Sequence, residues 1–177
     1  LKSVIASCEK NNVGLNLLLS PHYLPQWFKD KYPEESSMGY YDPSDKMRSM
    51  LEAYLRAVIP IIKDSPALTS LCLTNETNVR ANTEDTLPYY HDFLNDLFEG
   101  DVRKMNEAYG TKYTDFDEVE YPDVETLCYA PEENPDKMPQ YVDWLEFNSR
   151  YLTDFHKWMA DIIHEMAPDI PCGVKIM

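Results

Sequence analysis

A chain of 177 residues has the length of one domain and is long enough to bury a real core. With 31 Asp and Glu against 16 Lys and Arg its formal charge is -15, which opposes approach to phosphate backbones and anionic bilayers. Nucleic acid and membrane are therefore not expected as partners, and no apolar stretch approaches the roughly 20 residues of a bilayer crossing. Thirteen Tyr and three Trp offer flat apolar faces with hydrogen-bonding tips, which suits a sugar cleft and an ordinary core alike. Cys8, Cys72, Cys128 and Cys172 are scattered, without a CxxC pair or a His at zinc spacing. They are expected to be buried thiols.

An opening helix leads to the nearly continuous apolar run 13–19, the pattern of a strand covered on both faces, which stops at Ser20-Pro21. Residues 22–41, rich in proline and aromatics, predict a long loop. Asp42-Pro43 gives an N-cap with proline in the first turn, and Met47, Leu51, Tyr54, Leu55 and Val58 recur at helical spacing up to Pro60, where a kink or an end is expected. Asp64-Ser65-Pro66 turns the chain into a strand ending at Asn75-Glu76. A loop to about 86, a helix over 87–98, a break at Gly100 and a short helix capped by Gly110 follow. Residues 111–139 show no sustained period and predict a long loop. Trp144, Phe147, Tyr151, Phe155, Met159, Ile162 and Ile163 then keep one apolar face of a long helix ended by Pro168, and a strand begins near Pro171.

This order of helix, strand, helix, strand, helices, strand predicts an α/β fold built of successive βα units of a parallel sheet. The start without Met, in what reads as mid-helix, and the stop on an unfinished strand predict an excerpt of a longer protein. In a parallel array all strand carboxyl ends share one face, so the residues just past them are where a barrel enzyme puts its chemistry. Glu76 stands there. A carboxyl held partly out of water can protonate a leaving oxygen, and Asn75 can offer an amide to a substrate hydroxyl. The plainer reading is that the two residues turn the chain and cap the next helix.

The residues in order carry a resemblance. Leu19-Ser20-Pro21-His22-Tyr23-Leu24-Pro25-Gln26-Trp27, then Tyr32-Pro33-Glu34, Asn75-Glu76, the stretch from Val102 through Arg103, Asn106 and Tyr109 to Gly110, and Asp143-Trp144-Leu145-Glu146-Phe147-Asn148 resemble the family 42 β-galactosidases, in the clan of retaining (β/α)8-barrel glycoside hydrolases. The resemblance implies a partial TIM barrel, roughly strands 3 to 5 with their helices and long βα loops, so that 1–177 is a single segment of a catalytic barrel incomplete at both ends. Glu76 is then the general acid/base of a retaining exo-β-glycosidase that works by double displacement. Asn75, His22, Trp27 and Tyr23 are the expected substrate contacts. The nucleophile is expected beyond Met177, which would leave the isolated chain inactive. The partner implied is a β-galactoside or related oligosaccharide, with a homo-oligomer left open, no metal or organic cofactor is needed, and a cytoplasmic, periplasmic or secreted parent fits equally. Two other classes stay open on the residues: a carbohydrate-binding barrel without catalysis, and an acidic helical interaction domain built on the last helix.

Overall fold

The computed structural model describes residues 1–19, 23–33, 45–77 and 81–175. They fall into two compact units, one of Leu1–Arg80 with Thr153–Met177 and one of Ala81–Leu152.

The first unit holds helix α1 (Lys2–Lys10), strand β1 (Leu15–Leu18), the short helix α2 (Gln26–Lys31), helix α3 (Asp45–Ile62), strand β2 (Leu68–Asn75) and strand β3 (Cys172–Lys175). The three strands form one parallel sheet in the order β1-β2-β3, as the helix and strand alternation predicts. Along β2 successive side chains point to opposite faces. Leu71 and Leu73 are buried, while Ser70 and Cys72 pair with Asn16, Leu18 and Gly173 on a face that stays open. The core is filled from α3, where Leu51, Leu55, Ile59 and Ile62 are at most 1% exposed. Phe155, Met159, Ile162 and Ile163 add to it from the long helix described below. Each such side chain contributes about 1.5–3 kcal/mol by leaving water.

Three expectations change, the last of them in both units. Pro60 does not itself end α3: the helix runs on to Ile62, and Lys63 N–H donates to Ile59 O at 3.0 Å. So close to the helix end proline removes one ladder bond, and burial of Ile59 and Ile62 outweighs it. The 22–41 loop contains α2, whose Phe28 is buried and bears the rings of Trp27 and Tyr32 at 5.8 and 5.0 Å. A six-residue helix is too short to show a period. The thiols, finally, are not buried: Cys8, Cys72 and Cys172 are intermediate and Cys128 is exposed, all four free. Cys72 and Cys172 line the open cavity of the sheet rather than the core, and Cys128 lies on an exposed helix side.

The second unit holds helices α4 (Leu87–Leu97), α5 (Val102–Tyr109) and α6 (Val124–Tyr129) and the first part of α7 (Met138–Met166), whose last part belongs to the first unit. Asp101 caps α5 by accepting Arg103 N–H at 3.0 Å, and Gly110 closes it at φ 67°, the left-handed cap its position predicts. Tyr90 is fully buried, its ring 5.0 Å from Tyr121 and 5.2 Å from Phe147. Asn148 bridges two backbone groups, accepting Ala81 N–H at 2.7 Å and donating to Trp144 O at 2.8 Å, while the Trp144 indole donates to Ala81 O at 3.0 Å. The expected loop over 111–139 is only partly a loop. Asp123 caps α6 by accepting Thr126 N–H at 3.2 Å, and Val124 and Leu127, three apart, bury its inner side. The long helix starts at Met138, well before Trp144, because a proline at its second position, Pro139, is tolerated where no ladder donor is needed.

Candidate active site at the strand ends

The site is built from a register change. Cys72 pairs with Gly173 and Asn75 with Lys175, so three steps along β2 match two along β3. An extra residue of this kind turns every later side chain to the other face. Asn75 would otherwise point to the side of Leu71 and Leu73. The bulge puts it on the open face with Cys72, where Asn16, Leu18, Ser70 and Lys175 join them around a cavity of about 510 Å³.

Glu76 follows at once, exposed, with φ at 51°. A glutamate in the left-handed region costs on the order of 1 kcal/mol, and such strain gathers at functional sites. Two bonds hold it there, both with Lys175. The Glu76 N–H donates to Lys175 O at 2.7 Å, and the Lys175 ammonium donates to Glu76 Oε1 at 2.7 Å. The hydrogen bond and charge of that carboxylate push Lys175 above the ordinary lysine range. Just before the pair, Thr74 is buried with its hydroxyl 2.7 Å from His156 Nε2, and burial pushes that imidazole below the ordinary histidine range.

Because the left-handed conformation suits glycine, Glu76→Gly is expected to leave the melting temperature unchanged or slightly higher while removing the carboxylate. The ion pair it deletes is exposed to solvent and contributes little to stability. A fall of many degrees in a thermal melt would show that Glu76 is a structural residue.

The other predicted contacts are placed as follows. His22 lies outside the described residues. Tyr23 and Trp27 follow β1 and leave it at the same carboxyl end of the sheet from which Glu76 leaves β2; they are 73% and 60% exposed. Lys175 escaped the sequence reading. Its signal is a single cation in a short strand whose register partner is Asn75, which only the pairing reveals. Among the described residues no three His, Cys, Asp or Glu side chains gather into a metal set.

An amide and an ammonium on the last residues of two parallel strands, with a carboxylate just past one of them, define the class: an α/β fold with its candidate site at the strand ends. The chain belongs to glycoside hydrolase family 42, the β-galactosidase family, whose profile matches residues 1–177. It is 27% identical over 165 residues to β-galactosidase Pbg of Clostridium perfringens, which covers 83% of this chain and 23% of that protein. It is 26% identical over 174 residues to a β-galactosidase of an Arthrobacter species, covering 86% and 24%. Among solved structures, the β-galactosidase of Bacillus circulans sp. alkalophilus superposes with a TM-score of 0.79 at 19% identity over 99% of this chain and 28% of that one. An exo-carrageenase of the same family from Bacteroides ovatus superposes with a TM-score of 0.70 at 18% identity over 93% and 24%. The chain thus spans about a quarter of the curated relatives it matches.

Proposed function

We propose that this chain is the acid/base-bearing segment of a retaining exo-β-glycosidase, acting on a β-galactoside or related oligosaccharide, and that it forms roughly strands 3 to 5 of a (β/α)8 barrel. The observation that carries the reading is the placement of Asn75-Glu76 at the carboxyl end of the central parallel strand of a family 42 chain, with Asn75 on the open cavity and Glu76 exposed directly after it. The relatives named β-galactosidases support the sugar, and the relative named an exo-carrageenase is why related oligosaccharides are kept beside it.

In this reading Glu76 as the acid gives its proton to the glycosidic oxygen. A nucleophilic carboxylate outside these residues, about 5–5.5 Å away, attacks the anomeric carbon at the same time. The same Glu76, now a carboxylate, takes a proton from the water that releases the sugar. Asn75 donates to the sugar 2-hydroxyl, a bond that tightens as the oxocarbenium character grows. Tyr23 and Trp27 offer faces for the pyranose ring, with His22 beside them in the sequence.

The test is proton NMR of an aryl β-galactoside being hydrolysed by the full-length protein. The β-anomer of the free sugar is expected first, with mutarotation following, and the isolated 177-residue chain is expected to be inactive. An α-anomer formed first, or turnover by the isolated chain, overturns the proposal.

A further inference from the structure

We propose that Lys175 is the positioning residue of Glu76, gripping Oε1 from the neighbouring strand so that Oε2 is the oxygen that exchanges the proton; this rests on the acid/base reading above. The other carboxylate pairs along the helices, Glu52 with Arg56, Glu146 with Arg150 and Asp161 with Lys157, are separated by four residues and lie on solvated faces. Such pairs are common and contribute little. The Lys175 pair is of another kind. It joins the ends of two adjacent parallel strands, and both its backbone and its side chain bind the same residue.

The geometry fixes each freedom that Glu76 has. Its backbone sits at φ 51° and is held by the bond from its N–H to Lys175 O. Its carboxylate is held at one oxygen by the ammonium, 2.7 Å from Oε1. Lys175 itself is set by pairing with Asn75 across the bulge, and it lines the same cavity as Asn75. Amide and carboxylate are therefore referenced to one residue. A glutamate with three free side-chain torsions on an exposed turn would spread its proton over many positions. Gripped at one oxygen, it presents the other in one direction, and a displaced catalytic group costs rate steeply.

The grip serves both half-reactions. When Glu76 is the acid, Oε1 is the carbonyl oxygen and still accepts from the ammonium, while the proton on Oε2 passes to the glycosidic oxygen and the bond to the aglycone breaks. When it is the base, Oε2 takes a proton from water as the water oxygen bonds to the anomeric carbon. The bond from that carbon to the nucleophilic carboxylate breaks, and its electron pair returns to that carboxylate. Lys175 keeps its charge throughout and touches no reacting atom.

The experiment uses the full-length protein and an aryl β-galactoside, with Lys175→Met, Lys175→Gln and Lys175→Arg, each also combined with Glu76→Ala. Lys175→Met is expected to lower kcat about 10- to 10²-fold with KM little changed, and Lys175→Arg to recover most of the loss. In the Glu76→Ala background the same substitution is expected to change the rate by less than about twofold, because a residue that acts only through Glu76 has nothing left to position. Lys175→Gln, which keeps a donor and a similar length, serves if the Met variant melts early. A kcat within about twofold of the parent for both Met and Gln, or an equal loss with and without Glu76, overturns the assignment. If Glu76→Ala alone leaves the rate intact, the acid/base reading fails first; if Glu76→Ala is crippling and Lys175→Met is silent, only the role of Lys175 fails.

Discussion

Glu76→Ala in the full-length protein is expected to slow turnover by about 10²–10⁴-fold, and by an amount that depends on the aglycone. A substrate with a poor leaving group, such as an alkyl β-galactoside, needs the proton to depart and is expected to suffer the full loss in kcat/KM. A dinitrophenyl β-galactoside leaves without that help. Its first step should survive while the second, which needs a base to activate water, becomes limiting, so that the glycosyl-enzyme accumulates and KM falls with kcat. Azide then provides the diagnosis. As an anion it attacks without base assistance, so it is expected to restore kcat for the activated substrate and to yield the β-galactosyl azide. A loss that is the same for every aglycone and indifferent to azide would remove Glu76 from the proton transfers and leave it as a turn residue.

The parts of this site that a sequence can show are those set by local order. The apolar run before Asn75 and the abrupt change to polar residues announce a strand end, and the alternation of helices and strands announces a parallel sheet. Both are consequences of nearest-neighbour chemistry. The bulge between Cys72 and Asn75 is not, because a register shift belongs to two strands that lie about a hundred residues apart. Lys175 was hidden for the same reason: its role depends on which residue of β2 it faces, and nothing within its own segment, Gly173-Val174-Lys175, says so. The short helices α2 and α6 were lost to length. Six residues give fewer than two turns, so a capping Asp123 and two buried side chains are all the signal there is. Pro60 shows the opposite case, since the local rule that ends a helix at proline yields by two residues where the isoleucines beside it are buried.

Phe155→Ala is expected to have the largest effect on stability, about 3–5 kcal/mol. The ring is 0% exposed and lies 5.7 Å from Trp158, with the Arg48 guanidinium over both rings at 5.6 and 5.2 Å. Leu51, Leu55 and Met159 are as deeply buried, each held on its helix, so the core of this unit has little freedom to collapse into the space. The cost is therefore expected near the cavity-forming end of the range, read as a lower denaturant midpoint for the transition that includes this unit. Two companions separate packing from charge. Phe155→Leu keeps most of the volume and should cost less than about 1.5 kcal/mol. Arg48→Ala should cost no more than about 2 kcal/mol, the value of a cation held over aromatic faces. An Arg48→Ala loss equal to that of Phe155→Ala would mean that the stacked cation, not the filled volume, holds this part of the core. Below its lowered midpoint the Phe155→Ala protein should keep its kcat per folded molecule, whereas Glu76→Ala should keep its midpoint and lose kcat. That opposition follows from where the two residues lie, one inside the packed helices and the other on a strained, solvent-facing strand end.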